Sequence, residues 1–178
     1  MSRPAVTGGD NVHTIWQPDA DIARRLTLAA ILENNPLPIA YRLSYLANFY
    51  VGPLIKNMEQ EFGMTRPEWI VLFCLTQISG LSAQQISDVT GRPKTSISAA
   101  VKQLQRRKLL SRTVDANDGR RRVLQITEAG RRIYATILES FVFRETDMVA
   151  CLSRSERSTF LQLLNKMINN SADWAKPY

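Results

Sequence analysis

Residues 83–107 read "AQQISDVTGRPKTSISAAVKQLQRR". Ser87 is small, Gly91 follows four residues later, and Ile97 comes six beyond that. Two helices that cross steeply need a small residue where they touch, a residue at ease with positive φ in the turn, and an apolar plug on the second helix. The spacing therefore predicts a helix over 83–90, a tight turn through Gly91, and a second helix from Pro93, which a first turn tolerates, to about Lys108. Ile86, Val89, Ile97, Val101 and Leu104 are the expected shared core. The outward face of the second helix then carries Lys94, Thr95, Ser96, Ser98 and Lys102, with Arg92 just ahead in the turn. Short hydroxyls and long cations near a helix N-terminus suit phosphate, because free N–H groups and the helix dipole favour an anion there.

Immediately downstream, "SRTV" and "RVLQI" alternate in polarity on either side of Asp118-Gly119, which is the pattern of a β-hairpin. Three arginines, Arg120, Arg121 and Arg122, crowd the end of that turn. A helix-turn-helix followed by a basic hairpin is a winged helix. Its second helix enters the major groove, where base edges are distinguishable, and its wing lies over the flanking backbone. We assign Arg120 to the narrow, electronegative minor groove, with Asp118 orienting it, and Arg121 and Arg122 to phosphates.

The charge distribution supports a polyanionic partner. Between Arg92 and Arg132 there are twelve basic residues and three acidic ones, a net +9, whereas the whole chain carries +7 and the remainder therefore −2. The alternative is a solvated face, or a winged-helix protein–protein module that meets an acidic partner.

The flanking sequence reads as helix. "TRPE", "SAQQ" and "SRSE" are capping boxes, with Thr65, Ser82 and Ser153 as caps, and predict helices over about 66–79, 83–90 and 154–171. Ile39, Leu43, Leu46, Tyr50, Leu54 and Met58 form one helical stripe, which Pro53 should kink or split. A short helix capped by Asp19 and closed by Pro36 precedes it, and Thr127 caps a long helix reaching about Cys151. The expected fold is mainly α with a small β-hairpin wing, a winged helix-turn-helix with a helical dimerisation region. Residues 1–37 form an N-terminal arm with a short helix, 38–62 and 127–178 the dimerisation region, and 63–126 the DNA-binding lobe. The apolar stripes in 39–58, 133–152 and 160–168 exceed what a monomer of this size hides easily, so a homodimer is expected.

Other chemistries find little support. The single histidine, His13, lies in the arm, no cysteine pair has zinc spacing, and no glycine-rich loop follows a strand, so neither an enzyme nor a metal or other cofactor is expected. Cys74 and Cys151 are far apart in apolar helical context, and the sequence shows neither an apolar run of leader type near Met1 nor a membrane span, so a cytoplasmic location is expected. Aromatics cluster at Tyr41, Tyr45, Phe49, Tyr50, Trp69 and Phe73, with Arg42 among them. Arg42, Tyr45 and Trp69 could hold an aromatic carboxylate effector, or the same rings could simply pack a dimer core. A cysteine-based redox trigger is the competing switch. Against it, Cys74 sits in an apolar run and Cys151 ends a helix, where the dipole raises a thiol pKa.

The segment 81–131 resembles the MarR family of bacterial transcriptional regulators. The family's wing pattern matches at Asp115, Asp118, Gly119, Arg120, Ile126, Thr127 and Gly130, and "FGMTRPEWIVL" is similar to its second-helix entry, with Trp69 and Leu72 in place. The likeness covers about 39–171. It implies a homodimer whose first and last two helices intertwine on a pseudo-palindromic operator, commonly a repressor released by a small phenolic or aromatic carboxylate. Ala116, where proline is common, Gly119, a frequent variant, and residues 1–37 depart from the pattern.

Overall fold

The computed structural model describes residues 18–114 and 122–175, and the side chains of 22–114 and 122–175. Its elements are α1 (Pro18–Glu33), α2 (Pro38–Phe62), α3 (Arg66–Gln77), α4 (Ala83–Thr90), α5 (Lys94–Arg106), β1 (Leu110–Val114), β2 (Arg122–Ile126), α6 (Glu128–Met148), α7 (Arg154–Asn169) and α8 (Ser171–Trp174). The mainly helical fold with one antiparallel hairpin is that of a winged helix-turn-helix. Contacts divide the chain between Ala47 and Asn48, and each unit is taken by itself. In the first, Asn35 Oδ1 accepts from Leu37 N at 2.7 Å, closing the turn between α1 and α2. No helix among the described residues is long and apolar enough to cross a membrane.

In the second unit the capping boxes start their helices where the residues predict. Glu68 Oε2 accepts from Thr65 N and Thr65 Oγ1, both at 2.7 Å, while Ser82 and Ser153 accept from Gln85 N and Glu156 N. Each closes a donor that a helix start leaves open. Burial concentrates on one core, in which Met64, Leu72 and Leu75 meet Ile86, Ile97 and Leu104 and then Leu110, Leu124 and Ile137.

One expectation needs correction. Val89 is 72% exposed, not part of the helix-turn-helix core. The short α4 turns Ala83, Ile86, Ser87 and Thr90 inward, and at ~100° per residue Val89 falls about 110° from the centre of that stripe. Pro53 lies inside the continuous α2 and does not split it. Proline lacks the N–H that would satisfy the carbonyl of Phe49, and Arg144 of α6 donates to that carbonyl instead. The stripe of α2 is buried only toward its C-terminal end, at Leu54 and Met58, while Ile39 and Leu46 are exposed. Boundaries shift slightly as well: α1 begins at Pro18 rather than after an Asp19 cap, Pro93 caps α5 rather than entering it, and α6 ends at Met148.

Candidate nucleic-acid interface

The turn between α4 and α5 is built as its residues require. Gly91 ends α4 at φ 64°, ψ 17°, the left-handed region that glycine enters without strain. Ser87, buried at the helix crossing, donates from Oγ to Arg92 O at 2.7 Å and so locks the turn. Ile86 and Ile97 are fully buried beneath it.

With Ile97, Val101 and Leu104 inward, Thr95, Ala99, Lys102 and Arg106 form the opposite row of α5, at helical spacing. Lys94, Thr95 and Lys102 are exposed; Arg92, Ser96 and Ser98 are half-buried. Ser96 leans toward α3, lining a hollow of about 370 Å³ with Thr65, Pro67, Glu68 and Gln103. None of the polar side chains assigned to this helix pairs with another described residue. Arg106 and Gln103, which share a 3.5 Å hydrogen bond, also face outward, beyond Lys102, the last residue of α5 expected at the interface from sequence.

Arg92 adds a second cation-rich edge. Its pKa is lowered first by burial and then by the Arg66 guanidinium at the start of α3. The Arg66 charge disfavours the charged form of Arg92, an effect that an anion bound there would offset. Nothing in the sequence spacing pointed to Arg66, because it joins the helix-turn-helix only through the fold.

The hairpin is anchored at its root. β1 and β2 pair from Leu110–Ile126 to Val114–Arg122, and Gly80 N and Leu81 O bond Leu124 on the other edge of β2 at 3.1 and 2.9 Å. Arg112 and Arg122 are exposed on these strands. Asp118, Gly119, Arg120 and Arg121 lie outside the described residues, as do His13 and Trp16.

The residues expected to hold an effector fall in both units. In the first unit, Arg42 donates to Pro38 O at 2.8 Å and Leu32 O at 3.3 Å. Tyr45 is half-buried in that unit. In the second, Trp69 is stacked on Tyr134 and Phe141, with ring centroids 4.8 and 4.7 Å away. Those two rings are seven residues apart on α6, about two turns, so the indole inserts between them and offers an edge, not a face. Tyr50 meets Phe141 edge-on, and its phenol pKa is raised, chiefly by burial and then by Glu145, against the opposing pull of Arg144. Cys74 is buried, which raises its pKa, and Cys151 is exposed; both are free thiols. No group of three potential metal ligands occurs among the described residues.

Comparison with known proteins places this geometry. The model of the MarR family matches residues 62–121. The transcriptional regulator HosA of Escherichia coli O157:H7 is 26% identical over 106 residues, which are 60% of this chain and 78% of that protein. Among solved structures, the PcaV transcriptional regulator of Streptomyces coelicolor in complex with its natural ligand is 26% identical at a TM-score of 0.60, covering 82% of this chain and 96% of its own. The MepR–DNA complex of S. aureus is 25% identical at a TM-score of 0.66, covering 77% and 99%.

Proposed function

Because the chain belongs to the MarR family and is a DNA-binding transcriptional regulator, we propose that it is a homodimeric repressor of a pseudo-palindromic operator, released by a small aromatic or phenolic carboxylate. The carrying observation is the outward side of α5, where Lys94, Thr95 and Lys102 stand exposed and without partners among the described residues over a tightly packed inner face. Lys94, Thr95, Ser96 and Ser98 meet the major groove and its rims. Arg92, Lys102, Arg121 and Arg122 bind phosphates, and Arg120, oriented by Asp118, enters the minor groove. The DNA in the MepR complex supports this reading by likeness.

Residues 63–126 are the DNA-binding lobe in this proposal, 38–62 and 127–178 the dimerisation region, and 1–37 an arm. A two-fold dimer would present its recognition helices about 34–36 Å apart, one turn of duplex. The deciding experiment is a mobility shift with duplex DNA. Binding should weaken as salt rises and should favour a selected palindrome over random sequence. Capture of acidic proteins with no such preference would favour a protein–protein module instead.

Two substitutions separate phosphate contact from base reading. Arg120→Ala should weaken the selected operator by about 1–3 kcal/mol and relax its sequence preference. Lys102→Ala should weaken all duplexes about equally, and the plot of log affinity against log salt should flatten by about one unit. An unchanged slope in the Lys102 variant would remove that residue from the phosphate set.

For the effector, we assign the carboxylate to Arg42 and the aromatic body to Tyr45 and Trp69, on their chemistry alone. The ligand held by PcaV supports an effector of some kind. Titrating aromatic acids and their thioesters into the protein–operator complex should release DNA. No change in affinity across the series would refute the assignment. Redox control is the weaker reading, since burial holds the Cys74 thiol away from the reactive thiolate.

A further inference from the structure

Most basic residues between Arg92 and Arg132 reach toward solvent, but Arg107, at the end of α5, turns into the protein. Its Nη2 donates to Phe62 O at 2.8 Å and its Nη1 to Gly63 O at 3.0 Å. These carbonyls end α2, where a helix leaves acceptors unsatisfied and its dipole is negative. The same Nη1 lies 3.9 Å from Glu68 Oε1. Glu68 is only 4% exposed, and its other oxygen holds the cap of α3 through Thr65. One guanidinium therefore ties the last residue of α2, the first turn of α3 and the end of α5 together.

The arrangement suits arginine in particular. A planar fork can serve two neighbouring carbonyls and still present an edge to a carboxylate, which a lysine ammonium on a flexible stem cannot do as well. Reaching a phosphate would require Arg107 to give up all three partners and leave the Glu68 carboxylate buried without its counter-charge, a costly exchange.

We propose that Arg107 is a positioning residue for sequence recognition: it sets the attitude of α5 against α2 and α3 and does not itself touch DNA. This rests on the reading of α5 as the recognition helix. Base-edge contacts tolerate little displacement, whereas attraction to the phosphate backbone depends on charge and carries no sequence information. Loss of the clamp should therefore separate the two kinds of binding.

The test compares the full-length chain with Arg107→Ala and Arg107→Lys on two duplexes over a salt series. One duplex is selected by the wild-type protein from random sequence, and the other is its scrambled version. Arg107→Ala should bind the selected duplex about ten- to a hundredfold more weakly, the scale of lost charge-assisted hydrogen bonds. Affinity for the scrambled duplex and the salt slope should stay as in wild type. Arg107→Lys keeps the charge and should lose selectivity in the same sense, less severely, at an unchanged thermal midpoint; it decides the matter if the alanine variant does not fold. Equal losses on both duplexes with a flatter slope would make Arg107 a phosphate contact and overturn the proposal, as would wild-type selectivity in a folded variant. A wild-type protein that cannot tell the two duplexes apart would instead overturn the recognition-helix reading, and this assignment with it.

Discussion

Gly130→Ala is expected to destabilise the protein by about 2–4 kcal/mol, the range of overpacking and strain in a closed core. In an exposed helix the same change stabilises by about 1 kcal/mol, so the sign itself is diagnostic. A Cβ at Gly130 would stand 2.1 Å from Leu109 O and 2.8 Å from Ile126 Cγ1. The Leu109 carbonyl has little room to retreat. It accepts from Thr127 N at 3.1 Å, and Leu109 N is held by Leu104 O at 2.9 Å. Lys108, just before it, already sits at φ 57°, an uncommon conformation for a residue with a side chain. Thr127 completes the knot, donating from Oγ1 to Lys108 O at 2.9 Å and accepting from Gly130 N at 3.1 Å. The end of α5, the root of the hairpin and the first turn of α6 thus meet at a point that admits only hydrogen on Cα. Urea unfolding measures the effect, and a variant as stable as wild type would refute the close approach.

What the sequence could reveal depended on how locally each feature is determined. Capping boxes close within three residues, so Thr65, Ser82 and Ser153 marked helix starts to within a residue. Ser87, Gly91 and Ile97 were readable for the same reason, since a tight turn imposes fixed chemistry at fixed spacing. Features settled by partners distant in sequence stayed hidden. Pro53 looked like a helix breaker because Arg144, ninety-one residues later, supplies the donor it lacks. Arg107 looked like one more cation in a basic tract, because its acceptors, Phe62 and Gly63, lie forty-five and forty-four residues upstream. Val89 failed for a different reason: in a helix of eight residues the buried stripe is narrow, and an apolar residue just outside it gives no sign in the pattern. The outward row of α5 was visible in outline through Lys94, Thr95 and Lys102, but Arg66 comes near Arg92 only by folding.

Leu163→Asp combined with Met167→Asp should convert a dimer into monomers and weaken operator binding at least about a hundredfold, since a monomer holds one half-site and loses the second set of phosphate and base contacts. α7 has sixteen residues and buries none of them within the chain. Phe160, Leu164 and Met167 run along one side of it, flanked by Leu161, Leu163 and Ile168, and Leu161 and Ile168 are about 60% exposed at 59% and 63%. An isolated helix of this length is marginal in water, and most helical stability comes from covering an apolar face. Burying a large apolar side chain contributes about 1.5–3 kcal/mol, so leaving Phe160, Leu161, Leu163, Met167 and Ile168 partly in solvent forgoes an amount on the scale of a typical domain's net stability. α6 repeats the theme: Val142 and Phe143 are 54% and 71% exposed and, with Ala135 and Leu138, line an apolar groove. In the homodimer proposed above, a second copy of the chain would cover both faces at once, because a two-fold axis presents each stripe to its own counterpart. Aspartates at 163 and 167 would place two carboxylates in that seam, and by symmetry two more from the other copy, without touching the capping box at Ser153 or the core around Ile97. Sedimentation velocity reads the mass and a shift assay on the selected palindrome reads the binding. A variant that remains dimeric, or a monomer that grips the palindrome as wild type does, would show that α7 is not the seam.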